Sequence, residues 1–199
     1  MRRIVMFNRV SADGFFAAAD GNLDWVVPDA EVDKQGAAGI PGTDTVILGR
    51  RTYEQFASFW PHVLDSPAPV DPHGTGRFSA ELHAFARALN DMTKVVFSKT
   101  LKRATWNNTR LQGEFDPRAI ADMKRQPGKG MIVFGSGSIV AQLTQHGLID
   151  EYIFVVSPVL LGGGKPLLAG LTTQTARLEL LENRRFPSGN VILRYARSG

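Results

Sequence analysis

Hydrophobic and polar positions along the chain switch between two periods, and this pattern predicts strands that alternate with helices. Short apolar runs rich in Ile, Val and Phe predict buried strands, and apolar positions repeating every three or four residues predict helices. The predicted strands are Arg3 to Val10, Thr43 to Leu48, Lys94 to Phe97, Met131 to Phe134 and Glu151 to Val156. The predicted helices are Asp29 to Ala38, Thr52 to Ser58, Ser79 to Leu89, Pro117 to Arg125 and Ser138 to His146. This alternation is typical of a mostly parallel central sheet with helices on both faces.

The last part of the chain has a different pattern. Leu178 to Arg184 and Asn190 to Arg197 flank Pro187-Ser188-Gly189, which predicts a C-terminal antiparallel hairpin. The stretch from Pro61 to Gly76 is rich in proline with little periodicity, so it predicts a surface loop. Because no second core is evident beyond that loop, we expect a single α/β domain over residues 1–199.

Composition and charge narrow the possible functions. The chain of 199 residues is 43% hydrophobic and 21% charged, which are ordinary globular values. It has no cysteine, so a disulfide framework and thiol catalysis are excluded. The net charge is only +4, and the basic residues are not clustered in one segment, so we expect no nucleic-acid partner. The four histidines lack metal-ligand spacing, and no apolar run could span a membrane. We therefore expect no metal site, no membrane association and a cytoplasmic protein.

Three predicted strand ends are each followed by glycine, hydroxyl or basic residues. The three junctions are Gly49-Arg50-Arg51-Thr52, Ser98-Lys99 and Gly135-Ser136-Gly137-Ser138-Ile139. Helix starts and arginines bind phosphate well, and ligands of open α/β sheets bind beyond the carboxyl ends of the strands. Together the junctions predict a long anionic ligand such as a dinucleotide with a 2′-phosphate. Each junction alone is equally explained by a tight turn or a solvated helix start. Val140 occupies the third glycine position of the dinucleotide fingerprint, which disfavours a standard Rossmann domain.

The order of these motifs along the chain resembles the dihydrofolate reductase-like superfamily, over Ile4 to Tyr195. Within it the chain is most similar to the C-terminal reductase domain of the bifunctional riboflavin-biosynthesis deaminase-reductase. The segments that carry this likeness are Ser11-Ala12-Asp13-Gly14, Leu148-Ile149-Asp150-Glu151 and Val159-Leu160-Leu161-Gly162-Gly163-Gly164. They are similar to the S-x-D-G, L-I-D-E and P-x-L-L-G-G-G elements of that family.

The resemblance implies an NADPH-dependent oxidoreductase that transfers hydride to a small heterocyclic substrate, similar to 5-amino-6-(5-phosphoribosylamino)uracil reductase. It implies that NADPH is bound by all three junctions, and that the loop from Val10 to Gly14 lies near the nicotinamide and the substrate. No residue is identified as the proton donor. Family members commonly form homodimers, and the C-terminal hairpin is a candidate interface.

The substrate side departs from true dihydrofolate reductases. Trp25-Val26-Val27-Pro28 matches their W-x-x-P, but Ala30 stands where they have the carboxylate that holds the pterin. A dihydrofolate reductase therefore remains only an alternative, as does a non-catalytic nucleotide- or ligand-binding module on the same fold. The candidate substrate-binding residues are Asp13, Asp24, Trp25 and Tyr53. Ordinary loop aspartates and core aromatics are the competing explanation for these four.

Overall fold

Eight strands form one sheet through the centre of the molecule. The computed structural model describes residues 1–38, 42–65, 80–171 and 176–198. The sheet has the order β5-β4-β3-β6-β1-β7-β10-β9. Its strands are β1 (Ile4–Ser11), β3 (Thr43–Gly49), β4 (Thr93–Phe97), β5 (Thr109–Gln112), β6 (Gly130–Phe134), β7 (Glu151–Ser157), β9 (Leu178–Arg185) and β10 (Val191–Arg197). A separate two-stranded sheet pairs β2 (Phe15–Ala17) with β8 (Lys165–Pro166). The helices are α1 (Ala30–Ala38), α2 (Arg50–Val63), α3 (Ala80–Asp91), α4 (Pro117–Arg125) and α5 (Gly137–Gln145).

The six strands β5, β4, β3, β6, β1 and β7 run parallel, so their carboxyl ends share one edge of the sheet. β10 pairs antiparallel with β7, and β9 pairs antiparallel with β10. The mostly parallel sheet and the C-terminal hairpin are therefore confirmed. All five predicted strands and the hairpin strands are present, with ends within one residue of the predicted positions.

Helices cover both faces because the side chains of a strand alternate between them. Ile4 and Met6 of β1 pack in a cluster with Ile139 and Leu143 of α5. Phe7, on the other face, packs with the cluster that contains Tyr53 of α2. The apolar periods of α5 and α2 thus correspond to buried stripes.

Two features of the fold differ from the sequence-based expectations. The predicted loop from Pro61 is wrong at its start, because α2 continues through Pro61 to Val63. Val63 is completely buried, and this burial offsets the hydrogen bond that Pro61 cannot donate. Residues 66–79, which hold most of that loop and Ser79, lie outside the described residues. The short strands β2, β5 and β8 were not predicted, since runs of two to four residues give no clear period.

The strand β9 is an edge of the large sheet. Leu180 and Leu181 on it are 50% and 47% exposed. A homodimer formed through this hairpin remains a prediction. Among the described residues, every helix is too short or too polar to cross a membrane.

Candidate functional site

The three predicted junctions lie side by side in the structure. β4, β3 and β6 are consecutive neighbours in the sheet, with Gly49 level with Phe97 and Ile47 level with Val133. The segments that follow these strands therefore leave the same edge of the sheet within one strand spacing of each other. This adjacency could not be read from the chain order, in which β5 and α4 separate β4 from β6.

Hydrogen bonds join the junctions after β3 and β6. The Gly49 N–H donates to Ser136 Oγ at 2.7 Å, and Ser136 Oγ donates to Thr52 Oγ1 at 2.8 Å. The Gly135 N–H donates to Asn8 Oδ1 at 2.6 Å, which ties the same turn to β1. Thr52 and Ser136 are buried, each only 8% exposed. The two hydroxyls therefore position the two junctions relative to each other, and the predicted contact of Thr52 and Ser136 with the cofactor remains a prediction.

The glycines of the third junction are required by contacts within the protein. A Cβ at Gly135 would lie 3.0 Å from Thr52 Oγ1, and Gly135 has a φ of 52° that favours glycine. A Cβ at Gly137 would lie 2.9 Å from the Phe16 ring and 3.0 Å from the Leu167 carbonyl oxygen. Internal packing therefore explains both glycines without a ligand. The approach of a phosphate to their backbone remains a prediction.

Helices α2 and α5 begin without a capping side chain. Gly49 and Ser136 occupy their N-cap positions, neither makes a side-chain cap hydrogen bond, and neither helix has an acidic residue in its first turn. By contrast, Asp29 accepts hydrogen bonds from the first turn of α1, and Asp116 caps α4. The N–H groups of an uncapped first turn and the helix dipole favour an anion. The two helix starts at the predicted cofactor junctions therefore keep this capacity.

The basic residues of the junctions differ in their contacts. Arg50 donates to Glu54 at 2.8 Å and to Thr100 Oγ1 at 2.7 Å, which links the junctions after β3 and β4. Lys99 donates to Glu114 at 2.6 Å. Both ion pairs are exposed, and such pairs exchange readily with other anions. Arg51 is exposed, and its side chain has no ion pair or hydrogen bond within the described part of the chain.

Ser98 stabilises the turn after β4. Its hydroxyl oxygen accepts from the N–H groups of Thr100 and Leu101 at 3.2 and 2.9 Å. This leaves the hydroxyl proton to donate to a further acceptor. Ile139 is buried in the core at 5% exposure, and Ser138 is exposed on the first turn of α5. Of these two, only Ser138 can offer its side chain to a ligand; the backbone N–H of Ile139 already donates to the Ser136 carbonyl.

Asp13 connects the loop after β1 to the glycine-rich loop after β7. Its carboxylate accepts from the Leu161 N–H at 3.1 Å, from the Gly162 N–H at 2.8 Å and from the Ser11 hydroxyl at 2.6 Å. The Ser11 hydrogen bond, aided by the two backbone N–H groups, lowers the pKa of Asp13 below its usual range. The structure thus gives Asp13 a loop-bridging role, and its predicted contact with substrate remains a prediction.

The other predicted substrate residues differ in burial and in their contacts. Tyr53 is 2% exposed, packs against Trp106, and its hydroxyl accepts from the Thr105 and Trp106 N–H groups at 3.0 Å. This environment favours the explanation of a core aromatic, and the predicted contact of Tyr53 with substrate remains a prediction. Asp24 is exposed in a local turn, where its N–H donates to Asn22 Oδ1 and its carboxylate accepts from Asn22 Nδ2. These contacts favour an ordinary loop aspartate, and its predicted contact with substrate remains a prediction. Trp25 precedes α1 and is partly exposed, and its predicted contact remains a prediction.

Of the two carboxylates beside Ala30, Asp29 is already hydrogen bonded, whereas Glu31 is exposed in the first turn of α1. Ala30 is the first residue of α1. Asp29 Oδ1 accepts from the Glu31 N–H at 2.9 Å, and Asp29 Oδ2 accepts from the Ser188 hydroxyl. Asp29 is therefore engaged in capping the helix and in holding the turn between β9 and β10. It cannot replace the carboxylate missing at Ala30 without losing both contacts.

Two polar residues of β1 were not identified from the sequence. Asn8 is 5% exposed and accepts from the Gly135 N–H, and Arg9 pairs with Asp33 of α1. A signal was available, because Asn8 and Arg9 interrupt an otherwise apolar strand that also carries the S-x-D-G element. Polar side chains in a central strand need partners, and so they often lie at a site.

Known proteins share this fold. A crystal structure from Shewanella sp. PV-4, provisionally named as a riboflavin biosynthesis protein, has a TM-score of 0.73 at 23% identity and covers 99% of each chain. The deaminase/5-amino-6-(5-phosphoribosylamino)uracil reductase of Thermotoga maritima has a TM-score of 0.66 at 12% identity, over 99% of this chain and 57% of that one. Dihydrofolate reductase from Enterococcus faecalis, complexed with NADP(H), has a TM-score of 0.62 at 12% identity, over 99% and 97% of the two chains. The fold is thus dihydrofolate reductase-like.

The family is defined by sequence. The model of the RibD C-terminal domain family matches residues 2–192, so the chain belongs to that family, which is of reductase type. The Bacillus subtilis (strain 168) protein YwjB is 30% identical over 99% of both chains, and YyaP of the same organism is 26% identical over 100% of this chain and 96% of its own. Both relatives are described as uncharacterized proteins.

Proposed function

We propose that this protein is an NADPH-dependent reductase of a small heterocyclic substrate, similar to 5-amino-6-(5-phosphoribosylamino)uracil reductase. One observation carries the proposal: the segments after β4, β3 and β6 are adjacent, are joined by the Arg50–Thr100 and Gly49–Ser136 hydrogen bonds, and include two uncapped helix starts. Membership of the RibD C-terminal domain family supports it. So does the likeness of the fold to a dihydrofolate reductase that is complexed with NADP(H).

The donors at this edge of the sheet fit the anionic parts of NADPH. A dinucleotide with a 2′-phosphate carries two separate anionic groups, and it needs cations and N–H donors at separate points. The first-turn N–H groups of α2 and α5 suit the pyrophosphate. Arg51 suits the 2′-phosphate, because it is exposed and has no carboxylate partner among the described residues. Arg50, Ser98 and Lys99 supply further donors on the β4 side.

The protein's contribution to the reaction is positioning. NADPH supplies the hydride when bound, and the chain holds the two reacting carbons together and limits water. The bridge from Asp13 to Leu161 and Gly162 fixes two loops beside the carboxyl end of β1. A group that delivers the proton is not assigned, and a water molecule is compatible with the proposal.

Folate is not the substrate in this proposal. The position that carries the pterin-binding carboxylate in dihydrofolate reductases is Ala30, and Asp29 beside it is engaged by the α1 N–H groups and by Ser188. A substrate that does not depend on a carboxylate at this position is the better fit.

Titration and turnover test the proposal. NADPH is expected to bind with a sub-millimolar Kd, measured by isothermal titration calorimetry and by quenching of tryptophan fluorescence. NADPH oxidation is then followed with pteridines, pyrimidines, quinones and dihydrofolate. Oxidation with a non-folate heterocycle supports the proposal, and turnover of dihydrofolate would favour the dihydrofolate reductase alternative. Tight NADPH binding without oxidation by any compound would favour a binding module, and absence of NADPH binding would reject the cofactor.

A further inference from the structure

Two buried donor groups are left without an acceptor in the protein. Among the described residues, the buried side-chain nitrogen and oxygen atoms without a hydrogen-bond partner are Arg9 Nη1 and Trp25 Nε1. Buried polar groups are nearly always hydrogen bonded in native proteins, and the exceptions call for a specific explanation. Both atoms are N–H donors, so what each needs is an acceptor.

Arg9 lies where β1 extends beyond its neighbour. The last paired position of β1 and β6 is Phe7 with Phe134, whereas Arg9 is still paired with Val155 of β7. The chain after Phe134 has already turned toward α5, which packs on the opposite face of the sheet from Phe7 and Arg9. Arg9 therefore lies at the carboxyl edge of the sheet, beside the junctions, on the face that α1 covers.

The Arg9 guanidinium is only partly used. Its Nη2 group donates to Asp33 of α1, while Nη1 has no partner. The Arg9 side chain is 13% exposed and the Asp33 side chain 46%. A guanidinium can bind two oxygens through its parallel N–H groups, so a second acceptor can join Asp33 without displacing it. Nη1 is shielded from solvent, and a ligand oxygen would reach it as neighbouring side chains change rotamer.

A cluster of aromatic side chains lies on the same face as Arg9, with the Phe134 ring buried at its centre. Phe7 and Phe134 are in edge-to-face contact with ring centroids 6.0 Å apart, and Phe56 lies 5.8 Å from Phe134. Phe7 and Phe56 are only partly buried. Flat rings pack well against aromatic side chains, while a guanidinium at the margin binds polar atoms on the ring edge.

Trp25 Nε1 is the second donor without an acceptor, and the segment that follows Trp25 is anchored near the carboxyl end of β7. The segment between Trp25 and α1 is held by Asn190 Nδ2, which donates to the Val27 carbonyl at 3.0 Å, and by the Ser188–Asp29 hydrogen bond. Asn190 also accepts from Ser157, the last residue of β7. The segment is therefore fixed at the carboxyl edge, on the side of β1 that faces β7.

We propose that Arg9, aided by Trp25, is the substrate-orienting residue, and that it selects a planar ring whose edge carries carbonyl or carboxylate oxygens. This inference rests on the proposed reductase function, because it specifies the substrate of that site. A carboxylate at position 30 would bind the donor edge of a pterin. A guanidinium binds an acceptor edge instead. Ala30 and Arg9 together therefore change the preferred ring edge from one that donates hydrogen bonds to one that accepts them.

The test compares two flat probes of opposite edge chemistry, with and without saturating NADPH. Orotate has carbonyl and carboxylate oxygens, and 2,4-diaminopyrimidine has amino groups. Orotate is expected to bind about tenfold more tightly, and Arg9→Met is expected to remove about that factor. The control Arg110→Met removes an exposed arginine from the distant edge strand β5 and should leave orotate binding unchanged. Asp33→Asn should maintain or strengthen orotate binding, since it removes a competing acceptor charge.

Several outcomes would overturn the inference. They are equal affinity for the two probes, no detectable orotate binding at millimolar concentration, or unchanged orotate binding in Arg9→Met. If circular dichroism shows that Arg9→Met does not fold, Arg9→Lys decides, because it keeps the charge but removes Nη1. Its orotate affinity should fall severalfold, and full retention overturns the inference. NADPH affinity is measured on the same samples. If the unmodified protein does not bind NADPH, the proposed function is rejected. The comparison of orotate with 2,4-diaminopyrimidine in the absence of NADPH still decides the role of Arg9.

Discussion

The Ser136 hydroxyl donates a hydrogen bond to Thr52 Oγ1 at 2.8 Å and accepts one from the Gly49 N–H at 2.7 Å. One serine therefore joins the turn after β6 to the helix after β3. Ser136 has a φ of 56°, a left-handed conformation that is uncommon outside glycine and that aims its side chain at α2. The relative placement of the two uncapped helix starts depends on this side chain.

Ser136→Ala is expected to reduce the free energy of unfolding by about 1–2 kcal/mol, because the partly buried Gly49 N–H then loses its acceptor. Urea denaturation measures the change. Ser138→Ala, two residues further on and exposed, is the matched control and should change stability by less than about 0.5 kcal/mol. A Ser136→Ala variant as stable as this control would show that the hydroxyl is not needed to hold the junctions.

Arg51→Ala is expected to weaken NADPH binding by about tenfold or more, while NADH binding changes little. Arg51 is exposed and without an ion pair among the described residues, so its guanidinium can bind a 2′-phosphate without breaking another contact. Calorimetric titration of both cofactors measures the difference. Arg87→Ala on α3, also exposed, should affect neither cofactor. Equal losses for NADPH and NADH in Arg51→Ala would remove the 2′-phosphate role.

Gly137→Ala is expected to destabilise the fold by about 1–3 kcal/mol through overpacking. The added Cβ would lie 3.0 Å from the Leu167 carbonyl oxygen, and backbone cannot move aside as a flexible side chain can. Thermal unfolding measures the effect. Gly113→Ala is the control, since a Cβ there meets no atom within 4 Å. If both alanine variants unfold at the same temperature, the close packing of β2 and β8 against α5 is not what requires Gly137.

Asp13→Asn is expected to accelerate amide hydrogen exchange at Leu161 and Gly162, because an amide side chain has one acceptor oxygen where the carboxylate has two. The effect should be confined to the loop after β7. The lowered pKa of Asp13 predicts that protection in the unmodified protein is present above the ordinary carboxyl pKa and is lost as the pH falls through the lowered value. Exchange followed by mass spectrometry at neutral and acidic pH measures both effects. Unchanged protection in Asp13→Asn would mean that the loop holds its position without this bridge.

Lys94 gives a pH dependence of stability. It is completely buried in β4, and its ammonium donates to the Asn90 carbonyl at 2.7 Å beside the Trp106 ring. Burial lowers the pKa of Lys94 from its ordinary 10.5 to about 8. Between these two values the unfolded chain binds more protons than the folded chain, so stability should rise with pH by about 1 kcal/mol per unit.

The measurement compares the unmodified protein with Lys94→Met by chemical denaturation between pH 7 and 9.5. As the pH rises, the free energy of unfolding of the unmodified protein should increase relative to that of Lys94→Met. A pH-independent difference would show that Lys94 keeps an ordinary pKa. The comparison cancels the titration of all other groups that the two chains share.

Much of the fold could be predicted because its local and tertiary requirements agree. The strand Glu151–Ser157 is apolar because it is central, and α4 begins where Asp116 and Pro117 provide an N-cap and a first-turn proline. β5 escaped prediction because four residues give no clear period, and the β2–β8 pair escaped it because its two short strands are distant in sequence. The loop predicted to begin at Pro61 was wrong at its start, because the burial of Val63 stabilises α2 by more than the hydrogen bond that Pro61 cannot donate.

The candidate site was predictable in its parts and not in its connections. Strand-end chemistry identified the junctions at Gly49, Ser98 and Gly135, but the order β4-β3-β6 that makes them neighbours is a tertiary fact. The burial of Tyr53 could not be predicted, because no local rule separates a core tyrosine from one that faces a ligand. Arg9 was missed because its importance lies in an acceptor that the chain does not provide.

The hairpin of β9 and β10 affects the order in which the parts of the candidate site can form during synthesis. Asn190 binds the Val27 carbonyl, and Ser188 binds Asp29, across 163 and 159 positions of sequence. During synthesis from the N-terminus, the segment before α1 therefore emerges long before its anchors exist. The strands that precede the three predicted junctions are all present by residue 134, whereas the segment before α1 is anchored only once residues 188 and 190 have been made. A chain cut short before the turn would keep the elements of one half of the site and lose the anchor of the other.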